Sequence, residues 1–320
     1  MQSDTNTQPN EHHSSSEYAV DIKNLRKVYP KQDKSPPKTA LNDITLQIPK
    51  GCIFGLLGPN GAGKSTLINI LAGLAKKTSG TVSIWGHDIT TSPRSSKFAI
   101  GVVLQEIVLE AFFSVREILD MQAGLYGVPK KERKTEELLD IVGLTRQADS
   151  PMRSLSGGMK RRLMIAKALS HNPKVLVLDE PTAGVDIDLR QSLWEYVKKL
   201  NKAGTTILLT THYLYEAEEL CDYIAVINHG QIIANDKKAN LLDNRKRITI
   251  ELKDPIEELS TEMLSLGLQK LSPYTIEASY KPQELAVDVL LKTVMDNGCT
   301  IKDISAQPIT LEEIFLRLIH

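Results

Sequence analysis

The stretch that decides the fold is "GPNGAGKST", residues 58–66. It fits the pattern G-x-x-x-x-G-K-[ST] and follows an apolar run typical of a short strand, "CIFGLL". After it comes "KSTLINILAGL", which is typical of a helix. Glycines let such a loop wrap closely around phosphate groups, with successive N–H groups pointing inward. We therefore predict an α/β fold with a nucleoside-phosphate site at this loop rather than a chance glycine turn.

Every residue of this loop is a candidate phosphate contact. Lys64 is expected to reach the β- and γ-phosphates, Ser65 to bind Mg²⁺ and Thr66 to help hold the phosphates. The other loop positions expected to contact the nucleotide are Gly58, Pro59, Asn60, Gly61, Ala62 and Gly63.

Apolar runs elsewhere predict the rest of the core. The β-branched run "KVLVLDE", residues 174–180, is typical of a strand buried on both faces of a sheet. Further strands are predicted at 18–29, 100–105, 205–212 and 223–228. Together these runs predict a mostly parallel sheet.

A helical insertion is predicted to interrupt this sheet at about residues 106–170. Its first helix, within 114–127, opens with a capping box formed by Ser114 and Glu117. The other two helices fall within 130–144 and 154–169. The apolar residues expected near one face of the first helix are Val115, Ile118, Leu119 and Leu125.

Two adjacent carboxylates end the strand "VLVLDE". At the end of a buried strand, Asp179 is placed to bind Mg²⁺. Glu180 follows at once and suits a general base for the water that attacks the γ-phosphate. The alternative is a strand-end cap followed by a surface glutamate.

Gln105 and His212 each end a predicted strand. A lone glutamine is usually a surface residue and a lone histidine is usually structural. In this order along the chain, His212 is placed to donate a hydrogen bond to the γ-phosphate and to orient the attacking water.

A second glycine loop lies in "SLSGGMKRRLMIAKAL", residues 154–169. Ser156 suits the N-cap of the helix that follows, and a helix N-terminus directs partial positive charge at an anion. The stretch is also compatible with nothing more than a capped helix.

The chain resembles the ATP-binding-cassette (ABC) ATPase family over roughly residues 18–235, on the order and spacing of "GPNGAGKST", Gln105, "LSGGM", "LVLDEPT", "AGVD" and "TTH". The resemblance implies a P-loop NTPase cassette, an α/β fold with a mostly parallel sheet and a helical subdomain, that binds ATP and Mg²⁺. It also implies two cassettes bound head to tail. In that arrangement Ser156, Gly157 and Gly158 of one chain cover the γ-phosphate held by Lys64 of the other.

The same resemblance assigns further roles. Tyr29 is the aromatic residue expected to stack on adenine, although a tyrosine at a strand end is also compatible with packing. Asp186 matches the loop that communicates across the dimer, and it is also placed to cap the next helix. Gln105 joins Ser65 and Asp179 as a metal ligand, and it acts with the catalytic pair Glu180 and His212.

Two features resemble the ATPase subunits of bacterial ABC-2-type exporters, such as drug-resistance exporters. They are Met159, which follows the two glycines of "LSGGM", and the ending "QPITLEEIFLRLI". That likeness implies a separate polytopic membrane permease, with this chain held on the cytoplasmic face of the inner or plasma membrane. The segment "EIVLEAFF", residues 106–113, then suits a groove for a permease helix. Its apolar residues are equally compatible with the core of the helical region; they are Ile107, Val108, Leu109, Phe112 and Phe113.

Composition limits the remaining possibilities. The chain has 320 residues and a formal net charge of zero, so no nucleic-acid partner is expected. No apolar run approaches the roughly 18 residues of a membrane span. The three cysteines lack metal-binding spacing and are expected to be reduced thiols.

Three regions are predicted along the chain: a disordered arm over 1–17, a nucleotide-binding domain over 18–244 and a small α/β unit over 245–320. The last is expected to run strand, helix, strand, helix, strand, helix, and it carries no motif for chemistry.

Two other functions remain as alternatives. One is a non-transport ABC ATPase of translation or DNA repair, although those proteins usually carry two cassettes or a long coiled coil. The other is a regulator with a degenerate site, which the presence of Lys64, Asp179, Glu180 and His212 argues against.

Overall fold

A computed structural model of the chain describes residues 17–30, 36–105, 112–182, 187–243 and 245–319. Three predictions fall outside these residues: most of the arm, the apolar residues 107–109, and Asp186.

The strands, in chain order, are β1 (Tyr18–Tyr29), β2 (Lys38–Pro49), β3 (Ile53–Leu57), β4 (Ser79–Ile84), β5 (His87–Asp88), β6 (Ile100–Val103), β7 (Val175–Asp179), β8 (Thr206–Thr210), β9 (Tyr223–Asn228), β10 (Gln231–Lys237), β11 (Lys246–Leu252), β12 (Leu268–Ser272), β13 (Thr275–Tyr280) and β14 (Ile301–Pro308). The helices are α1 (Lys64–Leu71), α2 (Pro93–Ala99), α3 (Val115–Leu125), α4 (Thr135–Ile141), α5 (Gly157–Leu169), α6 (Ile187–Lys202), α7 (Leu214–Leu220), α8 (Lys238–Leu242), α9 (Thr261–Ser265), α10 (Val287–Asp296) and α11 (Leu311–Ile319).

These strands form three sheets, in the orders β2-β1-β4-β5, β10-β9-β3-β8-β7-β6 and β12-β13-β11-β14. In the six-stranded sheet, β6, β7 and β8 run parallel, with Val102 opposite Val177 and Val177 opposite Leu208. Every residue of β7 and β8 is buried, as a strand covered on both faces requires. The mostly parallel core is therefore confirmed.

The first strand lies in a different sheet. β1 pairs antiparallel with β2 on one side and with β4 on the other. Its inward residues Val20, Ile22 and Leu25 are fully buried. Apolar residues spaced in this way are typical of a strand, but they do not say which sheet the strand joins.

The three predicted helices of the insertion are present as α3, α4 and α5. Ser114 and Glu117 form the predicted capping box at the start of α3. Val115, Ile118 and Leu119 are buried, whereas Leu125, predicted near the same face, is 77% exposed. Leu125 is the last residue of α3.

The chain divides into two compact units. The first comprises Met1–Phe54, Asn60–Thr210 and His229–Gln231, and the second comprises Gly55–Pro59, Thr211–Asn228 and Ile232–His320.

Within the second unit, the sheet β12-β13-β11-β14 is antiparallel, since β11 pairs antiparallel with β13 and β14, and β12 with β13. The buried core of this region includes Ile248, Ile250, Ile276, Met263 and Leu290. The predicted order strand, helix, strand omitted β12, which lies between α9 and β13. That strand alternates only weakly between buried and exposed residues, so its sequence carries little strand signal.

Candidate active site

The glycine loop leads into α1 as its motif predicts. Gly61 and Gly63 have φ angles of 80° and 118°, which lie in the region that disfavours other residues. Gly63 is the N-cap of α1, so the first N–H groups of the helix have no helical partner and are suited to an anion. Ser65 is exposed and Thr66 is half-buried. The loop therefore has the backbone of a phosphate site.

The remaining loop residues are divided between the two units. Asn60 and Ala62 lie with the first unit, where the Ala62 carbonyl accepts a hydrogen bond from Gly230 N at 2.8 Å. Gly58 and Pro59 directly follow β3 and belong to the second unit.

Lys64 supplies a buried positive charge at the start of α1. Burial lowers the pKa of its ammonium group, while the negative charges of Glu180 and Asp179 raise it. An ammonium group buried beside two carboxylates is suited to bind an anionic oxygen from the nucleotide.

Asp179 is a buried carboxylate at the end of β7. The Thr210 hydroxyl donates a hydrogen bond of 2.6 Å to its Oδ1 atom. These residues are opposite each other because β7 and β8 pair in register, Asp179 with Thr210. Burial raises the pKa of Asp179, and the Thr210 hydrogen bond opposes that effect.

Glu180 has a strained backbone next to this carboxylate. Its φ is 47°, a left-handed conformation that is uncommon for a residue other than glycine. Its N–H donates to the Thr210 carbonyl and to Thr210 Oγ1, both at 3.1 Å. Backbone strain of this kind persists where neighbouring contacts fix it, and it is concentrated at functional sites.

Gln105 contacts Glu180 across the ends of two neighbouring strands. It lies just beyond β6, and its Nε2 donates a hydrogen bond of 3.2 Å to Glu180 Oε2. Because β6 and β7 are parallel neighbours, their carboxyl ends lie at the same edge of the sheet. The structure thus brings Lys64, Asp179, Glu180 and Gln105 into one neighbourhood.

Arg161 is a residue at this site that the motif analysis missed. It projects from α5 and is 4% exposed, and its guanidinium group donates to five backbone carbonyls. The signal in the sequence is a charged residue within an apolar helix stripe, since Ile165 and Ala168 follow at helical spacing and are buried.

Ser156 caps α5. Its hydroxyl accepts a hydrogen bond of 3.3 Å from Met159 N, and the serine itself is exposed. Gly157 and Gly158 are the first residues of the helix, and a side chain at Gly157 would meet no atom within 4 Å. This helix end therefore has room for a ligand or a second chain.

The other two predicted residues lie at strand ends. Tyr29 closes β1 with its ring partly exposed and the Lys27 ammonium 4.5 Å from the ring centre. His212 lies two residues beyond β8, in the second unit, and its ring centre is 4.1 Å from that of Tyr213. Thr211 fixes the preceding backbone by accepting a hydrogen bond from Tyr213 N and donating one to Glu216 Oε2.

Comparison with known proteins agrees with this geometry. A family model described as "ABC transporter" matches residues 41–183. The chain is 41% identical over 224 residues to the linearmycin resistance ATP-binding protein of Bacillus subtilis, covering 69% of this chain and 70% of that protein. It is 35% identical over 311 residues to the Nod factor export ATP-binding protein I of Ralstonia nicotianae, covering 93% of each. The chain belongs to the ABC transporter ATPases.

A solved structure extends the likeness to three dimensions. It is a dimeric ATP-binding cassette in a post-hydrolysis state with bound ADP and Pi. The match has a TM-score of 0.62 and 29% identity, and covers 68% of this chain and 98% of the other. As an ABC ATPase, the chain binds and hydrolyses ATP, and proteins of this family work with membrane subunits. The non-transport alternative is not favoured, because the relatives are named for resistance and export.

No helix among the residues with described structure is both long and apolar enough to pass through a bilayer.

Proposed function

We propose that this chain is the ATP-hydrolysing subunit of an exporter, and that it works as a head-to-tail dimer of cassettes around two ATP·Mg²⁺. The observation that carries ATP hydrolysis in this proposal is the hydrogen bond between Gln105 and Glu180 beside the buried pair Lys64 and Asp179. The names of the relatives, which refer to export and to antibiotic resistance, support the direction of transport.

In this proposal the glycine loop and Lys64 hold the phosphates of ATP, and Tyr29 stacks on the adenine. The positive φ angles of Gly61 and Gly63 support the first assignment, since such a backbone suits a loop whose successive N–H groups point toward an anion. The partly exposed ring of Tyr29 supports the second.

The oxygen donors at the site fit Mg²⁺. Asp179 offers a carboxylate, Ser65 a hydroxyl and Gln105 an amide oxygen, which are the hard ligands this ion prefers. The described residues contain no group of three or more His, Cys, Asp or Glu side chains arranged for a metal, so phosphates and water would complete the coordination. Bound there, Mg²⁺ supplies charge neutralisation for the phosphates.

Glu180 acts as the general base in this proposal. Its carboxylate accepts the proton of the attacking water, Gln105 orients that carboxylate, and His212 donates a hydrogen bond to the γ-phosphate. The fixed backbone of Glu180 supports this role, because a base must be held within hydrogen-bond reach of its proton donor.

The dimer completes each site in this proposal. Ser156, Gly157 and Gly158 of one chain cover the γ-phosphate held by Lys64 of its partner, and Asp186 communicates between the two sites. The capped and exposed start of α5 supports this arrangement, since a helix N-terminus and its dipole favour an anion.

A separate polytopic permease is the proposed membrane partner, and it holds the chain peripherally on the cytoplasmic face of the inner or plasma membrane. Phe112 is 86% exposed and Phe113 is 42% exposed, which supports a contact surface for a permease helix over packing in the core. In domain terms we propose an arm over 1–17, a cassette over 18–244 with its helical subdomain at about 106–170, and an accessory unit over 245–320.

Co-purification tests the membrane partner. The full chain is tagged and expressed in its own cell, membranes are solubilised in mild detergent, and associated proteins are identified by mass spectrometry. The wild-type chain is expected to bring down a polytopic membrane protein in an amount nearly equal to its own. The control variant Leu74→Asp, at an exposed leucine outside the 112–113 surface, should bring down the same amount. The double variant Phe112→Asp, Phe113→Asp should lose it. A wild-type chain found only on ribosomes or alone would contradict the permease proposal.

A further inference from the structure

The guanidinium group of Arg161 makes hydrogen bonds with all of its donors. Nε donates to the Pro181 carbonyl at 3.1 Å. Nη1 donates to Leu104 O at 2.7 Å and Gln105 O at 3.1 Å, while Nη2 donates to Asp179 O at 2.7 Å and Glu180 O at 2.8 Å. An arginine has five N–H donors, so no donor is left for water or a ligand.

These carbonyls belong to the two chain segments that carry the candidate catalytic groups. The parallel pairing of β6 and β7 ends at Val103 opposite Leu178. Beyond that pair, Arg161 binds the carbonyls of both segments and so connects them where the strand ladder has stopped. The planar fork of arginine suits this task, since its donors are fixed in direction relative to one another.

The backbone of Glu180 is held from both sides. Its N–H is bound by Thr210, and its carbonyl accepts from Arg161. Since its φ of 47° is intrinsically unfavourable, the contacts around it must maintain it. Gln105 is bound to Arg161 in the same way. Its side-chain amide contacts the Glu180 carboxylate, and its carbonyl accepts a hydrogen bond from Arg161.

Burial of a charged group without a carboxylate partner at hydrogen-bond distance also indicates a specific role. The five acceptors of Arg161 are backbone carbonyls. Burial lowers the pKa of its guanidinium group, while the charges of Asp179 and Glu180 raise it. Burying such a charged group costs free energy, and the hydrogen bonds to the five carbonyls offset that cost.

We propose that Arg161 is a positioning residue for ATP hydrolysis, which fixes the main chain at Gln105 and Glu180 so that their side chains face the attacking water. The proposal rests on the proposed role of Glu180 as the base. Arg161 itself does not touch the nucleotide. Lysine cannot replace it, because one ammonium group cannot reach five carbonyls in a plane.

The matched control is Arg162, the next residue of the same helix. Its Nη1 donates to the Val142 carbonyl at 2.9 Å, in the helical region and away from Glu180. Arg161→Lys and Arg161→Gln are compared with Arg162→Lys and Arg162→Gln in the full chain. The measurements are kcat, KM and Kd for ATP, and the thermal midpoint.

Arg161→Lys is expected to lower kcat about 100-fold, the typical effect of displacing a catalytic group by about 1 Å. Its KM and Kd for ATP should stay within about threefold of wild type, as for loss of an interaction needed only in the transition state. The Arg162 variants should retain kcat.

Glu180→Gln and the double variant Glu180→Gln, Arg161→Lys, assayed under single-turnover conditions, complete the test. Because Arg161 acts through Glu180, the second substitution should add little to the first.

Four results would overturn the proposal: an unchanged kcat in Arg161→Lys, effects that add fully to those of Glu180→Gln, equal losses in the Arg162 variants, or failure of both Arg161 variants to fold while Arg162→Lys folds. A Glu180→Gln variant that still hydrolyses ATP normally would instead refute the proposed base. The two failures are therefore distinguishable.

Discussion

The hydroxyl of Thr210 provides a direct test of how the site holds its carboxylates. Thr210→Val removes the 2.6 Å hydrogen bond to Asp179 Oδ1 and the 3.1 Å bond that Thr210 Oγ1 accepts from Glu180 N, while keeping the shape of the side chain. The Thr210 carbonyl still accepts a hydrogen bond from Glu180 N. A hydrogen bond to a charged group is worth about 1.5–3 kcal/mol. The bond also fixes the direction of the carboxylate, so its loss should weaken the apparent affinity for Mg²⁺, by at most about 10- to 150-fold if all of that energy serves orientation.

The pH dependence should change in a defined direction. Burial already raises the pKa of Asp179 above its ordinary value, and Thr210 limits the rise by stabilising the ionised form. At pH values between the pKa of Asp179 in the unfolded chain and its higher pKa in the folded chain, the folded chain binds more protons than the unfolded chain. The stability of the folded chain therefore decreases as pH rises through that window. Thr210→Val should raise the folded pKa further, so ATPase activity on the acidic side should be lost at a higher pH than in wild type.

Thr206→Val is the matched control. Thr206 is a fully buried threonine in the same strand, and its hydroxyl accepts a hydrogen bond of 2.9 Å from Gly51 N. It lies four residues from Thr210, about 13 Å along a strand. ATPase rates are titrated with Mg²⁺ at several pH values. If the ATPase rates of Thr210→Val and Thr206→Val depended equally on Mg²⁺ and fell at the same acidic pH, the role given to the Thr210 hydroxyl would be refuted.

Three shorter predictions follow from the same site and its scaffold. Lys64→Met should weaken ATP binding by about 10- to 150-fold, from the loss of a charged hydrogen bond, as measured by equilibrium binding; unchanged affinity would contradict it. Tyr29→Ala should weaken binding of ATP by about 1–3 kcal/mol and leave binding of inorganic triphosphate unaltered, whereas Tyr29→Phe should bind ATP normally. Ser114→Ala should remove the capping box of α3 and cost about 1 kcal/mol of stability in thermal unfolding, with full ATPase activity per folded molecule.

Sequence patterns predicted the parts of the fold that local chemistry determines. β7 and β8 contain short apolar runs, residues 175–178 and 207–209, and such runs are typical of a strand buried on both faces. Ser114 and Ser156 begin helices because their side chains satisfy N–H groups at the helix start. The glycine loop follows from its motif.

Contacts between distant segments were beyond sequence reasoning. The bond between Gln105 and Glu180 depends on the parallel register of β6 and β7, which no residue near either one encodes. Arg161 was missed for the same reason, since its five acceptors lie 18 or more residues away in the chain. β12 was missed because its residues alternate weakly between buried and exposed.

Hydrolysis by Glu180→Gln tests the central claim most directly. The substitution keeps the size of the side chain but removes its ability to accept a proton, so the account predicts intact ATP binding, a rate lower by about 10²–10⁴-fold and an ATP-dependent dimer in light scattering. Glu258→Gln, at an exposed glutamate in the second unit, is the control and should behave as wild type. A Glu180→Gln chain that hydrolyses ATP at the control rate, or that stays monomeric with ATP bound, would contradict the account.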